Sequence, residues 1–163
     1  MNDAARARAR QHWLERQAAA DATLLGALVD LAERGRPVTV TTSADRRVTG
    51  LVVAVGADFA VLRDRGRGDV FVPVERLAVL RPAPGDALPT GDRPVGIRLA
   101  LGAALMELAA DRPDAIVATA GDDIRGEMVS VGADVITVAV DGPRRDQLHV
   151  RLGAIDHLVV LSR

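Results

Sequence analysis

Two stretches carry nearly the same phrase: "VTGLVVAVGADFAVL" from Val48 to Leu62, and "IRGEMVSVGADVITV" from Ile124 to Val138, 76 residues later. In each, apolar and polar residues alternate around a Gly, a Val-Gly-Ala-Asp turn follows, and a second apolar run begins at once. Alternation with period two predicts a strand, and two such runs around a short turn predict a hairpin. Gly56 and Gly132 are expected in the first central position of a two-residue loop, where positive φ is needed. Gly50 and Gly126, inside the strands, are expected where a strand bends sharply. Asp58 and Asp134 recur directly after the turn, where a carboxylate accepts backbone hydrogen bonds and fixes the hairpin.

The correspondence extends in both directions. Upstream, Leu28-Val29-Asp30-Leu31-Ala32 answers Leu105-Met106-Glu107-Leu108-Ala109, and Arg36-Pro37 answers Arg112-Pro113. Downstream, Val72, Val74 and Leu77 fall on Val150, Leu152 and Ile155. Each unit therefore reads as a helix followed by five strands, those of the first unit at about 38–42, 47–55, 58–64, 69–74 and 76–80. Residues 2–34 read as helix, with Asp21 capping its second part and Gly35 and Pro37 stopping it. A second helix is expected in "VGIRLALGAALMELAADRP", residues 95–113. The stretch 82–94 holds four prolines and two glycines and reads as a semi-rigid linker. The expected division is a helical extension over 1–21, a first unit over 22–81, the linker over 82–94 and a second unit over 95–163.

Composition narrows the function classes. Of 163 residues, 48% are hydrophobic, yet only two are Phe, one is Trp and none is Tyr, so the cores must be built from Val, Leu, Ile and Ala. The absence of Cys excludes disulfides, thiolate metal sites and cysteine nucleophiles. No apolar stretch approaches membrane-spanning length, and the N-terminus lacks the apolar region of a signal peptide, so a cytoplasmic protein without membrane contact is expected. The formal charge is −1 and every strongly basic residue is Arg, which argues against a broad cationic field for nucleic acid.

With a helix, a Gly inside a bent strand and a Gly-Ala-Asp turn in each copy, the chain resembles the Sm-like (LSm) family of small β-barrels over roughly 22–80 and 98–161. The Gly-apolar-Val run followed by "VFVPVERL" is also similar to the PRC-barrel family. Either resemblance implies a mainly β fold with helices: two tandem SH3-type, Sm-like five-stranded antiparallel barrels, each preceded by a helix, plus the N-terminal helical extension. The Sm-like resemblance further implies self-association through barrel edge strands, the fourth strand of one barrel pairing with the fifth of the next, and binding of single-stranded RNA. The family's uridine-binding members carry Asn three residues after the turn Asp. Here Phe59-Ala60-Val61 and Val135-Ile136-Thr137 follow, and Val72-Pro73-Val74-Glu75 replaces the family's basic segment.

The candidate nucleic-acid-binding residues are accordingly Arg63, Arg65 and Arg67 in one loop and Arg144 and Arg145 in the corresponding loop, whose guanidinium groups reach phosphate oxygens. Asp64, Asp69, Asp141 and Asp146 interleave with them. Arg6, Arg8, Arg10 and Arg16 around Trp13 make the N-terminal extension basic, able to lie on nucleic acid or to dock Trp13 and Leu14 on a barrel or a protein partner. His12, His149 and His157 are scattered, the adjacent Asp156 and His157 are expected on opposite strand faces, and Asp122-Asp123 reads as a turn. No catalytic or metal motif is present and no cofactor is expected. The expected protein is a non-catalytic, self-assembling binding module for RNA or another polyanion. The alternatives are a protein-interaction module without nucleic-acid binding and a DNA-associated regulator.

Overall fold

In the structure, a computed structural model, residues 3–162 are described. Met1, Asn2 and Arg163, which the expected boundaries include, lie outside them. The helical stretch expected over 2–34, in two parts, is two helices, α1 (Asp3–Ala20) and α2 (Leu24–Arg34). The break falls at 21–23 because Thr23, not Asp21, caps α2: its backbone is extended and its Oγ1 accepts the Gly26 N–H at 2.9 Å. Gly35, at φ 62°, closes α2 in the left-handed conformation that glycine adopts without a steric penalty. The inward stripe of α2 buries Ala27, Leu28 and Leu31, whereas α1 buries nothing.

Five strands follow: β1 (Pro37–Thr42), β2 (Arg47–Val55), β3 (Phe59–Asp64), β4 (Gly68–Pro73) and β5 (Leu77–Pro82), with a 3-10 turn at Val74–Arg76. After the connection comes α3 (Leu101–Ala109), shorter than the helix expected over 95–113. Then come β6 (Asp114–Thr119), β7 (Asp123–Val131), β8 (Val135–Val140), β9 (Gln147–Arg151), a 3-10 turn at Leu152–Ala154 and β10 (Ile155–Leu161). All ten strands join one antiparallel sheet in the order β5-β1-β2-β3-β4-β10-β6-β7-β8-β9. The sheet is open, with β5 and β9 at its edges, and closure of each half into its own barrel is not part of this pairing. The halves meet where β4 pairs with β10, Val70 opposite Val159 and Phe71 opposite Leu158.

Strand β3 shows why its apolar run is unbroken. Ala60 and Leu62 point into the core under α2, while Phe59 and Val61 point into the core under α3. Both faces are covered, so alternation disappears. Strand β10 straddles the same joint, giving Ile155 and Leu158 to one core and Val159 to the other.

The glycines act through crowding. A Cβ on Gly50 meets the Arg63 carbonyl oxygen at 2.6 Å, and one on Gly126 meets the Ala139 oxygen closer still. Each strand shifts register just beyond its glycine, between Val52 and Ala54 and between Met128 and Ser130. The expected positive φ at Gly56 and Gly132 is corrected: neither is among the residues with positive φ. Gly56 N–H bonds the Phe59 carbonyl at 2.8 Å and Gly132 N–H the Val135 carbonyl at 2.7 Å, so the glycines flank turns centred on Ala57-Asp58 and Ala133-Asp134. Glycine fits at 56 because the Phe59 ring and the Leu99 carbonyl fill the space of a side chain.

The proline-rich connection is a strap on α2 more than a spacer. Thr23 N–H reaches Gly91 O at 2.9 Å, Arg34 reaches Ala87 O at 2.7 Å, and Arg36 pairs with Asp86 at 2.8 Å. The buried Asp30 carboxylate takes both Arg34, at 2.7 Å, and the Thr90 N–H, at 3.1 Å. Among the described residues, no helix is long and apolar enough to cross a membrane.

Candidate functional site

The joint between the halves concentrates the polar and apolar features that face outward from it. Asp58 does not fix its own hairpin, as was expected; its Oδ1 accepts the Leu101 N–H at 2.7 Å, the first residue of α3 in the other half. Ala100, the N-cap residue of α3, offers no side-chain bond, so Asp58 supplies the missing cap from 43 residues away. Asp134 occupies the matching turn, and its backbone repeats the pattern: Leu152 N–H bonds Asp134 O as Val74 N–H bonds Asp58 O, both at 2.8 Å. Its carboxylate has no hydrogen-bond partner among the described residues, because no helix end lies beside it. Phe59 of β3 and Phe71 of β4 stack with centroids 6.0 Å apart on the side of the first half that packs against the core under α3. On the other side, Arg46 pairs with Asp123 at 2.8 Å, and that bond and charge raise the guanidinium pKa.

Around Asp58 opens a cleft of about 670 Å³. The 3-10 turn of the first half supplies Val74 and Glu75, α3 supplies Met106 and Glu107, and the 3-10 turn of the second half supplies Leu152. Every charged residue lining it is acidic. Arg76 donates to Gly153 O across the two 3-10 turns and ties the walls together. Sequence reading missed this cleft, because Glu75, Glu107 and Leu152 are unremarkable in their own segments and meet only through the β4–β10 pairing.

The arginine loops do not form one cluster. Arg63 is held by Asp69 through two bonds, at 2.8 and 3.1 Å, which together with the Asp69 charge raise its pKa and occupy its phosphate-binding edge. Arg65 and Arg67 are exposed in the β3–β4 loop, and Arg65 lines a groove shared with Val160 and Leu161 of β10. Arg144 and Arg145 are exposed in the β8–β9 loop, where Arg145 adopts φ 47°. Strands β10, β6 and β7 lie between the two hairpins.

Asp156 and His157 do meet, contrary to expectation. A register shift between Ile155 and His157 turns the strand, and His157 Nδ1 lies 2.8 Å from Asp156 Oδ2. Thr42 Oγ1 of the first half donates to the same oxygen at 2.9 Å, so this network also ties the halves together. Asp156 is 2% exposed and His157 6%, which leaves a substrate no access to the pair. His149 bonds Thr137 across β8–β9 at 3.0 Å, and His12 sits on α1 near Glu15. Among the described residues no group of His, Asp or Glu side chains has the arrangement of a metal site. Asp122 lies in the β6–β7 turn, as expected, whereas Asp123 is already the first residue of β7, opposite Ala118. Compared with known proteins, the chain matches no protein-family description and no curated relative.

Proposed function

We propose that this chain is a non-catalytic, self-assembling binding module made of two Sm-like units, each a strongly bent five-stranded sheet of the barrel type. The observation that carries the reading is the β4–β10 ladder: the fourth strand of one unit pairs with the fifth strand of the next within a single chain. That arrangement leaves a free fifth strand, β5, at one end and a free fourth strand, β9, at the other. Repeating the same step between copies pairs β9 with β5 head to tail, the kind of contact that closes into a ring or extends as a filament. It also satisfies edges that otherwise invite nonspecific pairing.

The correspondence fixes the register of the step. Val70 opposes Val159 inside the chain. The matching residues are Leu148 and Arg81, and Asp134 takes the place of Asp58 against the Leu24 N–H of the neighbour. Phe59, Val61 and Phe71 are matched by Val135, Thr137 and His149, so the contact between copies is more polar and weaker than the internal joint. Sedimentation velocity on the full chain tests this: Leu148→Arg, which sets Arg against Arg81, lowers association, and Leu148→Asp maintains or strengthens it. A wild-type chain that stays monomeric at high concentration overturns the reading.

A second reading, polyanion binding, is favoured by one observation: Arg65, Arg67, Arg144 and Arg145 are exposed and outside the ion pairs that hold Arg63 and Arg46. Fluorescence anisotropy with labelled single-stranded RNA tests it. Binding that falls with salt and is lost when these four become Ser supports it, and no binding at low salt removes it.

A further inference from the structure

Helix α1 spans 18 residues and none of them is buried; Trp13 is 58% exposed and Leu14 53%. Helices in proteins are held mainly by an apolar face against something else, so an exposed Trp-Leu pair on such a helix marks a contact surface. Arg6, Arg10, Trp13 and Leu14 follow the i, i+4, i+7, i+8 spacing that places residues on one face. Arg8 and Arg16, on other faces, turn back to the carbonyls of Ala4 and His12. Four arginines against Asp3 and Glu15 give the helix a net positive charge.

The cleft at the joint has the opposite character. Its apolar wall includes Met106, 52% exposed, and its rim carries the exposed Glu75 and Glu107, while Arg76, against the Gly153 wall, is committed to that carbonyl. We infer that this cleft receives the Trp13 face of α1 from a second copy of this chain. Trp13 and Leu14 enter against Met106 and Leu152, while Arg6 and Arg10 pair with Glu75 and Glu107. Trp and Arg are the residue types that most often dominate interface energies, and a two-fold pair of copies makes the contact twice. The contact uses neither β5 nor β9 and does not depend on edge pairing.

Trp13 is the sole tryptophan, so its fluorescence reports the contact directly. Emission of the full chain is expected to move to the blue as concentration rises, in step with an increase in sedimenting mass. The exposed double substitution Glu75→Arg/Glu107→Arg weakens the association about tenfold or more through like-charge repulsion. Adding Arg6→Glu/Arg10→Glu to the same chain restores it. Leu148→Arg, on the β9 edge, leaves the Trp13 shift unchanged, which separates this contact from edge pairing. Water-like emission at all concentrations overturns the inference. So does blue emission from a chain that sediments as a monomer, which means docking within one chain, and so does a failure of the charge swap to rescue.

Discussion

Replacing Asp58 by Ala removes a cap that belongs to the opposite half of the chain. The Asp58 carboxylate accepts the first amide of α3 at 2.7 Å, and among the described residues neither Ala100 nor any other side chain supplies a substitute. Losing a side-chain cap costs about 0.5–2 kcal/mol, and the exposure of Asp58 places the expected loss near the middle, about 1 kcal/mol. With a urea m-value of about 2 kcal/mol/M, the unfolding midpoint falls by roughly 0.5 M with m unchanged. Asp134→Ala is the internal control. Its carboxylate caps nothing among the described residues, so the change is expected within about 0.5 kcal/mol of zero. Asp58→Asn, which keeps an acceptor oxygen, recovers most of the loss. Urea titrations at a concentration where the chain is monomeric measure all three. Equal effects of Asp58→Ala and Asp134→Ala would refute the cross-half cap and return both residues to a local turn role.

Other substitutions address the backbone and the joint. Gly50→Ala and Gly126→Ala, whose new methyl groups strike backbone carbonyls, are each expected to cost about 1–3 kcal/mol in thermal unfolding. Gly102→Ala in α3, where the nearest atom is 3.6 Å from the added carbon, is neutral or stabilises by about 0.5–1 kcal/mol. Phe59→Ala empties a position that is 4% exposed in the core shared by the halves, and costs about 3–5 kcal/mol. Thr42→Val leaves Asp156 with one donor fewer and costs about 1–3 kcal/mol, measured by denaturant midpoint.

Much of the local structure was legible in the chain itself. Period-two alternation and turn residues placed all five strands of the first half within a few residues, and Gly35 with Pro37 marked the end of α2, because backbone preference acts over a few neighbouring residues. The matched phrases around Gly50 and Gly126 anticipated positions where a side chain does not fit, although crowding by a paired strand, not strand bending alone, is the reason. What only tertiary structure decided is where one strand edge meets another. The β4–β10 ladder gives Asp58 its helix to cap, buries β3 on both faces and assembles the acidic cleft from segments that carry no signal separately. Local spacing dictates each strand and turn, but a contact between Asp58 and Leu101 depends on how two edges align in space, and that follows from the burial of Phe59, Val61 and Leu158 together.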